Sequence, residues 1–178
     1  QFLKKEFTVL KGPKGRAAQM NFGAQQASGS WLLFLHADTH LDSHHIKQAM
    51  GEGALSQWGR FNVRLSGKHI MYRVIEWFIN WRSRITSVAT GDQCLFIRKK
   101  LFDEINGFSN IPLMEDIEIC KRMRKHHKPK NIRTPVVTSS RRWHQGGVYK
   151  TIWLMWKIRF LYWRGVPPEK LASLYRSQ

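Results

Sequence analysis

The chain has 178 residues, 42% of them hydrophobic and 12% aromatic, which supports one folded domain with a real core and excludes a disordered segment. A net charge of +18, from 30 Lys and Arg against 12 Asp and Glu, calls for an anionic partner: nucleic acid, a phosphorylated substrate or an acidic membrane surface. Cys94 and Cys120 are the only cysteines; they exclude a disulfide framework and read as buried free thiols of a reducing compartment.

Taken in chain order, "FTVL" (7–10) reads as a short strand and "KGPKG" (11–15) as a loop of turn residues. "RAAQMNFGAQQASG" reads as a helix closed at Ser28-Gly29. "WLLFLHAD" is a continuous apolar run and then a polar break, the pattern of a strand buried on both faces in a parallel sheet. Asp42 and Ser43 are candidate N-caps for a helix over "HHIKQAM". "GRFNVRLS" (59–66) alternates as a strand does.

Residues 69–84 are helical in period, with His69, Arg73, Glu76, Asn80 and Arg84 on one stripe and Ile, Met, Val, Trp and Phe over the rest. So wide an apolar face should be buried in protein or dipped into an interface. "QCLFIRK" is a further strand and "KKLFDEINGF" a short helix ended by Asn106-Gly107. "MEDIEICKRMRKHH" is a helix with acids in its first turn and bases in its last, as the macrodipole favours. "TPVVTSSRRW" is a strand with its exit loop. "VYKTIWLMWKIRFLYWRG" is a long aromatic helix that stops before Pro167-Pro168. Strands alternating with helices predict an α/β fold in one domain over 1–178, with an amphipathic helical extension over 148–178.

"HADTHLDSHH" (36–45) packs four histidines and two aspartates into ten residues. A structural zinc site lacks its cysteine pair here, and no H-E-x-x-H is present. Position is more informative: the cluster directly follows a strand, and ligands of open α/β sheets bind at strand carboxyl ends. Asp38 is an oxygen ligand suited to Mg²⁺ or Mn²⁺, and His36 a softer ligand suited to Mn²⁺ or a phosphate. His40, His44 and His45 read as surface or capping residues. Glu115-Asp116 opens a helix, either as simple dipole complementarity or as a general base presented to a pocket. "SSRRW" (139–143) supplies guanidinium forks that match phosphate oxygens, or is a solvated basic turn. Asp92 and Gln93 place an acid and an amide at a loop before a strand.

In this order, "GRAAQMNFGAQQASGSWLLFLHADT", "TGDQCLFIRKKLFDEINGF", "LMEDIEICKRMRK" and "SSRRW" resemble a family 2 glycosyltransferase of the arsenosugar-biosynthesis-type subgroup. The resemblance runs from about Gly12 to beyond Trp143. It implies a GT-A, Rossmann-like α/β/α sandwich of three layers, a divalent metal (Mg²⁺ or Mn²⁺) and a nucleotide-diphosphate sugar donor. It also implies a hydroxyl acceptor, which in this family is often lipid-linked. Asp38 matches the second aspartate of the Asp-x-Asp metal motif, and His36 stands in place of the first. Asp116 matches the catalytic base, with Glu115 before it. Arg142-Trp143 resembles the end of the QxxRW motif, with Ser139 where Gln would stand. Asp92, Gln93 and Arg16 fall among the residues assigned to the nucleotide sugar and its diphosphate.

The "PxxNE"-like and "DGSxD"-like segments with which this family opens do not occur here, and the chain begins with Gln rather than Met. The expectation is an incomplete GT-A sheet: a fragment, or a chain completed by another copy as a homo-oligomer, with little or no turnover alone. "FTVL" then has no neighbour and "WLLFL" an open edge.

No signal peptide is visible and no apolar run reaches the roughly 20 residues that span a bilayer, so the expected location is the cytosol or the cytosolic face of a membrane. The 148–164 helix, with Lys150, Lys157 and Arg164 on one stripe among aromatics, either lies in a membrane interface or packs on the domain or a partner subunit. A basic module binding nucleic acid or an anionic membrane without catalysis is the competing class. Its bases, however, are scattered and no nucleic-acid motif is present.

Overall fold

In a computed structural model, residues 8–51 and 56–176 are described, Arg142 by its backbone alone. The fold is mixed α/β. Five strands, β1 (Trp31–Phe34), β2 (Thr39–His40), β3 (Trp58–Leu65), β4 (Leu95–Arg98) and β5 (Lys130–Thr138), form one sheet in the order β1-β4-β3-β5-β2. Only β3 and β5 run parallel; the other three pairings are antiparallel. The expected parallel sheet is therefore corrected to a mixed one. The expected strand at 7–10 is absent at 8–10, which are irregular, and Phe7 lies outside the described residues.

β1 is an edge strand, in line with the open edge expected of "WLLFL", but its expected burial on both faces is corrected: only Leu32 is buried. An unbroken apolar run does not require two protein-covered faces. Leu32 packs into the main core, while Trp31 and Leu33 turn to the opposite face, and Arg98 caps Trp31 at 4.3 Å from its ring centre.

Helices cover both faces unequally. On one side Trp58, Leu95 and Ile97 meet α1 (Arg16–Gln26), α4 (Lys99–Glu104), α5 (Glu115–Met123), α7 (Val148–Trp163) and α8 (Pro168–Arg176). On the other side, Phe61, Phe96, Ile132 and Val136 meet the shorter α2 (Ser43–Met50) through Ala49 and Met50. Asp42 caps α2 as expected, accepting from the His44 and His45 N–H groups at 2.9 and 3.1 Å. His45 is buried, with Nδ1 2.7 Å from that carboxylate and Nε2 3.2 Å from the Pro135 carbonyl, so this histidine pins α2 to β5. α8 follows the Pro167-Pro168 stop, a second helix within the expected 148–178 extension. Proline at the first helical position is permissive, because that N–H would have no partner anyway.

The placement of α3 (Ile70–Thr86) sets the rest. β4 pairs with β3 only at Trp58–Arg60, so beyond that point the same edge of β3 has no strand beside it. The polar stripe of α3 takes its place. Asn80 donates to the Val63 carbonyl and accepts from the Val63 N–H, at 2.9 and 2.8 Å. Glu76 accepts from the Leu65 N–H at 2.6 Å, and Arg73 donates to the Leu65 carbonyl at 2.9 Å. Four residues of helix advance ~6 Å and two of strand ~6.7 Å, so side chains at that spacing can follow alternate strand residues.

With its polar stripe turned inward, α3 turns Trp77, Phe78 and Trp81 outward. The wide apolar face is exposed rather than buried against the rest of the chain. α7 is likewise not amphipathic in the expected sense. Leu154 and Ile158 are buried, while Trp153, Trp156, Phe160 and Trp163 are exposed, so apolar residues occupy both of its faces.

Asn80→Leu keeps the volume and removes both bonds to Val63. It should lower the free energy of unfolding by about 2–4 kcal/mol in urea titration. Trp77→Ser on the outward face should change it by no more than about 0.5 kcal/mol.

Candidate functional site

Four separate segments converge on Gly91: the start of α1, the residues after β1, the 3₁₀ turn Gly91–Gln93 and the start of α5. His36 leaves β1 and stands between Arg16 and Asp92. Its Nδ1 lies 3.2 Å from the Asp92 carboxylate and its Nε2 is in contact with the Arg16 guanidinium. A guanidinium only donates, so Nε2 accepts and Nδ1 carries the proton. The Arg16 Nε in turn lies 3.1 Å from Glu115 Oε1. The result is a chain of contacts from Asp92 through His36 and Arg16 to Glu115. A Cβ on Gly91 would collide with both Arg16 and His36, so glycine is what lets the turn approach them this closely.

Glu115 and Asp116 follow Met114, which holds a left-handed backbone (φ 70°) although it is not glycine. This sharp entry turns Glu115 into the core, where it is 2% exposed. Asp116 faces the pocket, its Oδ2 accepting from the Gly91 N–H at 2.9 Å and its Oδ1 from the Ile117 N–H at 2.8 Å. Burial first, and the neighbouring Asp116 charge second, push the Glu115 pKa above its ordinary value, while the Arg16 charge opposes them. The Arg16 contact is an ion pair without hydrogen-bond alignment, since Oε1 has no hydrogen-bond partner.

These residues line a polar pocket of about 260 Å³, together with Asp38, Ser139, Trp143 and Arg159. Of the expected site residues, the structure thus brings together Arg16, His36, Asp38, Asp92, Glu115, Asp116 and Trp143. The Arg142 side chain lies outside the described residues. Gln93 is turned away: it is fully buried, accepting from the Ser83 hydroxyl at 2.6 Å and the Thr90 N–H at 3.2 Å. It fixes the turn and does not reach the pocket. Asn21, in the same helix as Arg16, bonds both backbone groups of Phe108, at 2.8 and 2.9 Å.

Among the described residues no three His, Cys, Asp or Glu side chains converge as a metal site. In this arrangement the His36 Nε2 lies against the Arg16 guanidinium. Asp38 is exposed, and one carboxylate suffices for a Mg²⁺ or Mn²⁺ ion that takes its other oxygens from water and a diphosphate. Asp38 also borders a second hollow of about 530 Å³ with Arg141, Gln145 and Lys150.

Sequence reasoning passed over Arg82 and Arg159. Each interrupts an apolar helical run away from its polar stripe, which is the signal that could have singled them out. Burial lowers Arg82 to about 9, with the Arg159 charge adding to the effect, and burial lowers Arg159 as well. No protein-family model, curated protein or solved structure matches the chain.

Because the folded chain holds the Glu115 proton more tightly than the unfolded chain, the stability tied to that proton is present at acid pH. It is lost as pH rises through the raised value. Glu115→Gln imitates the protonated acid. Its Tm should therefore gain on that of the unchanged chain as pH goes from about 4 to about 8. A difference that stays constant across that range in thermal melts would contradict the assignment.

Proposed function

We propose that the chain is a family 2, GT-A-type glycosyltransferase that moves a sugar from a nucleotide-diphosphate donor to a hydroxyl acceptor with inversion. One observation carries the reading: Asp38, Asp92 and Asp116, distant in sequence, border one polar pocket flanked by the guanidiniums of Arg16 and Arg159. The mixed sheet with helices on both faces is compatible with this class.

Asp116 is the base. Each of its oxygens accepts one backbone N–H, which fixes the carboxylate and leaves each oxygen able to accept a second proton donor. The acceptor oxygen bonds to the anomeric carbon as the bond to the donor diphosphate breaks. The acceptor proton passes to Asp116, and the electron pair leaves with the diphosphate. Asp38 would hold the divalent metal, which when bound neutralises charge on the diphosphate. Arg141 and Lys150, beside Asp38, supply further positive charge for that group. Arg16 and His36 are positioning residues that couple Asp92 to Glu115 beside the base. Among the described residues no helix is long and apolar enough to cross a membrane; the location proposed is the cytosol or the cytosolic face of a membrane.

Inorganic diphosphate probes this corner without requiring recognition of a base or ribose. In calorimetric titration it should bind only with Mn²⁺ present. Asp38→Asn should weaken that binding by about tenfold or more (~1.4 kcal/mol), and Asp116→Asn should leave it within about twofold. Binding that needs no metal, or that Asp38→Asn does not change, would overturn the reading in favour of a nonspecific basic surface.

A further inference from the structure

A cleft of about 250 Å³ separates α3 from α7. Its walls are Val74, Ile75, Ile79 and Ile152, and its mouth is formed by Phe78 and Trp156. Those two rings lie 6.1 Å apart and are 43% and 63% exposed, so the cleft opens on the outward aromatic face. At its other end stand Arg82 and Arg159. Thr90, Asp92, Trp143, Met155 and Arg159 line both this cleft and the polar pocket, so the two spaces adjoin.

Buried donors in the lining of the cleft are left unpaired, although the Asp116 carboxylate acts on Arg82. Arg82 buries its Nε and Nη2 with no hydrogen-bond partner for either atom. Buried donors on a cation are costly to leave unpaired. Arg159, close enough to act on Arg82, adds a second like charge. The carboxylates of Asp92 and Asp116 act on Arg159 from the polar pocket. Asp116 is already bonded to Gly91 and Ile117, however, and Asp92 to His36. A phosphate has the charge and the oxygens to bond both guanidiniums. A cleft of about 250 Å³ is too small for a folded peptide and has room for one hydrocarbon chain. The exposed Trp, Phe and Tyr side chains around the mouth are the residues that favour a membrane–water interface.

We infer that this cleft binds a single-chain amphiphile, with its phosphate on Arg82 and Arg159 and its hydrocarbon between α3 and α7. The binding does not rest on the proposed function.

The test is calorimetric titration of the full chain, without metal or nucleotide, using decyl phosphate below its micelle concentration. Inorganic phosphate and decyl maltoside form the other arms. Decyl phosphate should bind at least about tenfold more tightly than either. Arg82→Gln should remove the advantage over decyl maltoside. Val74→Trp, a change at a half-exposed wall that fills the cleft, should remove the advantage over inorganic phosphate while leaving inorganic phosphate binding unchanged. Decyl phosphate binding no better than phosphate would mean an anion site only. Binding no better than decyl maltoside would mean an apolar groove only. Either result overturns the inference. If Arg82→Gln does not fold, Val74→Trp with the three ligands still decides. Failure here with intact, Mn²⁺-dependent diphosphate binding would leave the transferase reading standing.

Discussion

The closure of an open sheet edge by helix side chains is the interaction on which the rest of this fold depends. β3 outruns β4, and its backbone groups at Val63 and Leu65 would lie buried without partners. Asn80, Glu76 and Arg73 supply those partners from α3. Buried backbone groups left unpaired cost enough that the arrangement is decisive for the helix. It sets which way α3 faces. A helix that would ordinarily bury its aromatic side shows it to the outside instead, because its polar side is committed to the sheet.

The same rotation creates the two spaces at the functional end of the molecule. With Phe78 outward and Ile75 and Ile79 along the side, α3 forms a wall against which α7 sets Ile152 and Met155, leaving the cleft. Ser83 and Asn80 reach the buried Gln93. Gln93 anchors the turn that brings Gly91 against Arg16 and His36 and lets its N–H hold Asp116. Helix orientation, turn geometry and carboxylate position are thus links in one chain of hydrogen bonds.

A few cations lie where they are poorly solvated. Arg60 is 1% exposed and lowered by burial to about 10, yet its guanidinium bonds the Phe61 and Asn80 carbonyls and the Asn62 amide oxygen. Arg82 keeps two buried donors free. Arg60 leaves only its Nε unpaired, so its guanidinium is used mainly to build the fold, and that of Arg82 is not. Cys94 and Cys120, raised by burial to about 12, are thiols rather than nucleophiles at neutral pH.

Some features were determined by local sequence alone. The helix starts at Asp42 and Glu115, the stop at Asn106-Gly107 and the presence of a strand at β3 depend on neighbouring residues, and these appear where the pattern put them. The carboxylates at 38 and 116 were legible as candidates for the same reason, since one follows a strand and the other opens a helix, whereas Asp92 entered only through the family resemblance. Sheet direction, the exposure of part of β1, the inward burial of Gln93 and the contact of Arg16 with His36 were not legible. Each depends on which distant segment arrives beside it. An apolar run has the same composition at a sheet edge as in the middle, and a histidine lone pair is free or occupied according to whether Arg16, twenty residues away, reaches it. Only the tertiary structure decided that α3 would turn its tryptophans outward, because the unpaired backbone of β3 outweighed the exposure of those rings.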